Sequence, residues 1–146
     1  MKEQFQDLLG QLLVEIGAVA GTVHICEGQG LRLAAAVNIP DVVKEAMNWV
    51  PSGKGMAGLA LEQGKPIKTC NLRDDSSGNV RPGAKAVDAR AAVAIPIRDH
   101  DDTIVAVVGV AFADEREVGD SELQELEDRA EELLLHLRNT NHEDKS

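Results

Sequence analysis

The stretch ARAAVAIPIRDHDDTIVAVVGVAFA, residues 89–113, decides how this chain folds. Two runs rich in branched and small residues, Ala89 to Arg98 and Thr103 to Ala113, flank the polar segment Asp99 to Asp102. Branched side chains suit a pleated surface, and a short polar segment between two such runs reads as a hairpin turn. In the first run Ala91, Val93, Ile95 and Ile97 alternate with smaller residues. Successive side chains of a strand point to opposite faces, so one face of the sheet is predicted to be the more heavily packed.

A second hairpin lies upstream. Ala18 to Glu27 reads as a strand with Val19, Val23 and Ile25 on one face and Thr22, His24 and Cys26 on the other. Gly28-Gln29-Gly30 turns the chain, and Leu31 to Ile39 returns with Leu31, Leu33, Ala35 and Val37 at alternate positions. Strand, glycine-rich turn and strand make the sheet antiparallel. Pro40-Asp41 then opens a short helix whose apolar side is Val42, Val43, Ala46, Met47 and Val50. After a break at Pro51 to Gly55, a second short helix is predicted from about Met56 to Gln63, followed by a strand from Lys65 to Leu72. Arg73 to Asp88 shows no period and reads as a long loop, a feature that in small domains often serves function.

Helices close both ends. Phe5, Leu8, Leu9, Leu12, Leu13 and Ile16 recur at steps of three and four, as do Leu123, Leu126, Ala130, Leu133 and Leu137, with Leu134 and Leu135 widening the second stripe. Ser121 and Gln124 fit a capping box at the start of the last helix. The whole is one α+β domain over residues 1–138, built on a central antiparallel sheet of about five to six strands, with a flexible polar tail at 139–146.

Composition narrows the function. The formal net charge is −10, and ten acids against two arginines fall between Asp114 and Glu132, so phosphate backbones and anionic membranes are repelled. Aromatics are only Phe5, Trp49 and Phe112, too few for a base-stacking platform. No signal peptide or membrane span is readable, which gives a cytoplasmic expectation with Cys26 and Cys70 as thiols.

The order of elements and their punctuation resemble the GAF domain family. Pro51-Ser52-Gly53-Lys54-Gly55-Met56-Ala57-Gly58 looks like that family's P-x-G-x-G-x-x-G lead-in to its central helix. Gly64-Lys65-Pro66-Ile67 with Asn71-Leu72-Arg73-Asp74 resembles the following strand, and the residue 90–111 segment resembles the closing hairpin. The resemblance implies that the terminal helices cover one face of the sheet and that the short helices and the long loop cover the other. It also implies a small molecule bound under that cover, or a dimerising regulatory module.

Each candidate site has a plainer counterpart. Gly53-x-Gly55-x-x-Gly58 with Lys54 suggests a phosphate cradle, but no strand precedes it, and glycines that allow a turn explain it better. His24 and Cys26 with Cys70 could offer zinc three soft ligands, yet a fourth is missing and a buried cysteine usually acts as a small hydrophobe. The sulfoxide-reductase branch of the family carries cysteines in the long loop, whereas Arg73 to Arg90 has none. The cyclic-nucleotide signature has the wrong spacing at Phe112-Ala113-Asp114-Glu115, and neither cysteine precedes a histidine as bilin attachment often requires.

What remains is a set of pocket candidates: Trp49, Met56, Cys70, Asp74, Arg90, His24 and Cys26. Trp49 could stack on a ligand or anchor the short helix, and Arg90 could hold an anion or pair with a loop acid. The reading assigns no catalytic residue, no metal and no cofactor, and favours binding over catalysis. It expects a small-molecule sensor that acts in signalling through a separate protein and forms a homodimer by its terminal helices. Its alternatives are a redox enzyme using Cys26 and Cys70 and a ligand-free interaction module.

Overall fold

Fifteen residues without an internal proline, carrying leucine at positions 8, 9, 12 and 13, form the first helix, α1 (Lys2–Ile16). It stops at Gly17, where the backbone turns left-handed and the Ala18 amide donates to the Leu13 carbonyl. The computed structural model describes residues 2–69, 91–99, 101–113 and 118–144. The elements that follow are β1 (Ala20–Glu27), β2 (Gly30–Val37), α2 (Asp41–Ala46), β3 (Trp49–Pro51) and α3 (Gly55–Gln63). Then come β4 (Ile67–Thr69), β5 (Ala91–Arg98), β6 (Ile104–Phe112) and α4 (Asp120–Asp144).

The strands form one six-stranded sheet in the order β3-β2-β1-β6-β5-β4, with every pairing antiparallel. The expected α+β class and both hairpins stand. Alternation divides the sheet into two chemically different faces. Val23, Ala91, Val93, Ile95, Val108, Val110 and Phe112 share one face with Leu9, Leu12 and Leu13 of α1 and Leu126, Ala130, Leu133 and Leu134 of α4. A smaller cluster on the other face joins Leu31, Val50, Ala94 and Val107 to Ala60 of α3. The terminal helices therefore lie on the bulky face and the short helices on the other, as the resemblance implied.

Four local expectations are corrected. Residues 49 and 50 are not the end of a helix: α2 stops at Ala46, and β3 pairs with β2 through Arg32 and Trp49, adding a strand at the sheet edge. Val42, expected on the apolar side of α2, is exposed, and only Val43 of that helix is buried. A register shift between Val23 and His24 leaves Ala34 as an extra residue in β2, which reverses the faces along that strand. Leu31 thus packs with α3 while Ala35 and Val37 pack with the main core, although simple alternation puts all three on one side. Finally, α4 begins at Asp120, so Ser121 lies inside it, and Gln124 bonds forward to Asp128 at 3.1 Å instead of reaching back. With no glycine or proline to stop it, α4 continues to Asp144.

Candidate functional site

Beside His24 and Val107, β1, β5 and β6 turn a block of small side chains toward the short helices. Thr22 pairs with Gly109, which in turn pairs with Ala94; Ala20 pairs with Ala111, which pairs with Ala92. Rows of glycine and alanine cannot fill the space between a sheet and the helices above it, because sheet and helix stay apart by the size of their larger neighbours. The result is a cavity of about 380 Å³, within the range of small-molecule sites. Its floor is the Thr22–Gly109–Ala94 and Ala20–Ala111–Ala92 rows. Its cover, among the described residues, comes from Ile39, Val43, Ala46 and Met47 around α2, Val50 of β3, and Lys54 to Ala57 at the start of α3.

The segment between β3 and α3 is shaped by its glycines. The Gly53 amide donates to the Gly58 carbonyl at 2.8 Å, and the Gly58 amide donates to the Lys54 carbonyl at 3.1 Å. A β-carbon on Gly58 would lie 2.5 Å from the Pro51 carbonyl oxygen, so only glycine permits this close crossing. The strand β3 does precede the motif, contrary to expectation, but those two amides are engaged within the segment, which still favours the turn reading over a phosphate cradle.

His24 supplies the most distinctive polar group. It is 2% exposed and lines the cavity. Its Nε2 lies 3.0 Å from the Met47 carbonyl oxygen, and a carbonyl only accepts, so Nε2 carries the hydrogen. Nδ1 is buried and has no hydrogen-bond partner among the described residues. Burial pushes the imidazole below the usual histidine range, and the bond to Met47 offsets only part of that. The ring is neutral near pH 7, with a bare acceptor at Nδ1.

Of the residues singled out from sequence, His24 and Met56 line the cavity. Cys26 is a free thiol, partly buried beside the smaller cluster and outside the cavity lining. Trp49 is 47% exposed at the sheet edge, where its indole lies against Gly30, and it too is outside the lining. A strand alternates its side chains, so placing Trp49 in β3 instead of α2 turns it away from Val50, which does reach the cavity. Cys70, Asp74 and Arg90, with the 73–88 loop, lie outside the described residues. Among the described residues no group of three or more histidine, cysteine or acidic side chains could hold a metal ion. No helix there is long and apolar enough to cross a membrane.

Sequence reasoning did not single out Ala92, Ala94, Gly109 and Ala111 as site residues. The signal was present as the small partners of Val93, Ile95, Val108 and Val110 in the two closing strands. A missing side chain reads as a weak strand position until pairing shows that several such positions adjoin.

Comparison with known proteins supports the same fold. None of the curated proteins matches the sequence. Among solved structures, the GAF domain region of a Geobacter sulfurreducens protein is similar, with 15% identity, a TM-score of 0.76, and coverage of 94% of this chain and 92% of that one. A type II free methionine-R-sulfoxide reductase from Thermoplasma acidophilum has 13% identity and a TM-score of 0.71 over 90% of this chain and 88% of its own. The GAF domain from a Coxiella burnetii phosphoenolpyruvate-protein phosphotransferase has 15% identity and a TM-score of 0.68, covering 99% of each chain. At such identities the likeness concerns the fold alone. The family model described as GAF domain matches residues 2–133. With that match spanning nearly all of the sequence and the architecture in agreement, the chain belongs to the GAF domain family.

Proposed function

We propose that this chain is a small-molecule sensor that binds its ligand between the sheet and the two short helices and passes the signal on through its terminal helices. The observation that carries this reading is the cavity of about 380 Å³ floored by glycine and alanine. A fold with no use for that space would gain by filling it, since voids cost stability in proportion to their volume. A route for the signal is also supported: the Lys68 ammonium donates to the Val118 carbonyl at 2.5 Å, which ties the edge strand β4 to the approach of α4. A ligand acts by population shift, and only as far as it distinguishes the two states.

Homodimerisation through the terminal helices is part of the same proposal. Val14 of α1 and Leu135 of α4 are large apolar side chains left exposed on helices that bury Leu9, Leu12 and Leu13 of the first and Leu126, Leu133 and Leu134 of the second. The proposal also places the chain in the cytoplasm. The reductase alternative draws on the Thermoplasma acidophilum likeness and needs a thiol facing the substrate; among the described residues Cys26 is not one of the cavity walls, and Cys70 lies outside them.

The test is a thermal-shift panel of nucleotides, amino acids, organic acids and neutral heterocycles. A ligand raises the melting temperature by binding only the folded chain. A rise that disappears in Ala111→Leu, which fills the floor, supports the reading. A panel with no shift, or a shift indifferent to that substitution, overturns it.

A further inference from the structure

Resting on the reading of the cavity as a ligand site, we propose that its ligand is an uncharged, almost wholly hydrocarbon molecule, held by apolar contact and not by ion pairing. The main chain of the floor offers an occupant nothing polar. β1, β6 and β5 are interior strands, each paired on both sides, so their amides and carbonyls are spent on the sheet ladders. Among the described lining residues only Thr22, His24 and Lys54 carry polar side chains. His24 spends one ring nitrogen on the Met47 carbonyl, and the other has essentially no accessible surface, so neither is offered to an occupant. The Thr22 hydroxyl lies beside Gly109 and is left as a single weak polar contact.

Charge is the deciding question. No acidic side chain lines the cavity among the described residues, so a cation finds no partner there. An anion is the rival occupant, since Lys54 and the start of α3 adjoin the space and a helix start favours negative charge. Lys54 is exposed, however, and water already solvates its ammonium. An anion entering between sheet and helices would give up its hydration for one screened charge, which is a net loss. An apolar body has no such cost. The volume of about 380 Å³ is roughly two and a half times the ~150 Å³ apolar cavity that suffices for benzene, which leaves room for one substituted ring or two fused ones. Met47 and Met56 are unbranched and flexible, and they adapt the cover to the outline of such a molecule.

Calorimetric titration of the full chain with isopropylbenzene, benzoate and benzamidinium tests this. The three share one ring and one branched substituent of the same size, and they differ in charge: none, negative and positive. Isopropylbenzene is expected to bind about tenfold or more tightly than either ion, with the negative heat-capacity change of apolar burial. The methyl resonances of Ala94 and Ala111 are expected to shift on its addition, and Ala111→Leu should abolish both signals. If Ala111→Leu does not fold, the methyl shifts on the unaltered chain locate the probe. Binding of isopropylbenzene that leaves those methyls unmoved overturns the proposal, because the molecule then sits elsewhere. Benzoate binding as tightly as isopropylbenzene, or more tightly, also overturns it, and loss of that binding in Lys54→Met would assign the cavity to anions while keeping it as a ligand site. Failure of all three probes overturns the apolar class, and the wider thermal-shift panel then shows whether the cavity binds anything.

Discussion

Thr22 of β1 stands opposite Gly109 of β6, and a β-carbon added to that glycine would lie 2.9 Å from the Thr22 hydroxyl oxygen. The threonine occupies the space that a side chain at 109 would take, and the two together keep the cavity floor flat. A double-mutant cycle reads this coupling directly. Gly109→Ala alone is expected to cost about 1 kcal/mol, since a β-branched side chain cannot easily swing aside. In a Thr22→Ala background the same change should be neutral or stabilising by about 0.5 kcal/mol, as alanine restricts the unfolded chain. Urea denaturation of the four proteins gives the coupling, and additive effects would mean the two residues do not meet as described.

Ala111→Leu places three more carbons over the small-residue floor. Overpacking a filled core costs about 1–3 kcal/mol, but here the added atoms enter open space. The melting temperature should therefore move by no more than the equivalent of about 1 kcal/mol in either direction. A loss of several kcal/mol would show that the floor is already covered.

Phe112 tests the opposite face. It is fully buried among the residues that join the sheet to α1 and α4. Phe112→Ala should destabilise the chain by about 3–5 kcal/mol, the usual cost of emptying a well-packed aromatic site. Measured by urea midpoint, this places the main stabilising core under the terminal helices, and an effect below about 1 kcal/mol would contradict that placement.

The buried imidazole gives a pH dependence with a definite sign. His24 is held below the ordinary histidine value of about 6.5, so the unfolded chain takes up a proton first as pH falls. Its contribution is complete above that value and is lost progressively below it. Glu127 acts the other way: burial, then Glu131, then Asp128 raise its carboxyl, so the folded chain takes up that proton first at lower pH. Comparing melting temperatures of the unaltered chain and His24→Gln between pH 8 and pH 5 isolates the first effect. The unaltered chain should lose stability faster below about pH 6.5. Parallel curves would show that His24 is not buried as the structure has it.

Much of the fold was legible because it rests on periodic burial. The stripes of Leu9, Leu12 and Leu13 and of Leu126, Ala130 and Leu133 specify helices with one buried face, and the alternation from Ala91 to Ile97 specifies a strand with unequal faces. Trp49 was misplaced because three residues are too few to show a period, and only pairing with Arg32 makes them a strand. The extra residue at Ala34 was equally silent, since a bulge exists only relative to a partner strand.

The chain's own order of residues thus determined its class, its hairpins and which side of each strand is bulky, because those depend on neighbours a few positions apart. Tertiary structure alone decided that Thr22, Gly109 and Ala94 adjoin to make a floor, and that the Met47 carbonyl takes the hydrogen of His24. These residues lie between 15 and 87 positions apart along the chain, and contact at such separation is set by strand order and register, not by local preference. Whether a histidine is a solvated side chain or a buried, neutral one is fixed only when the chain closes around it.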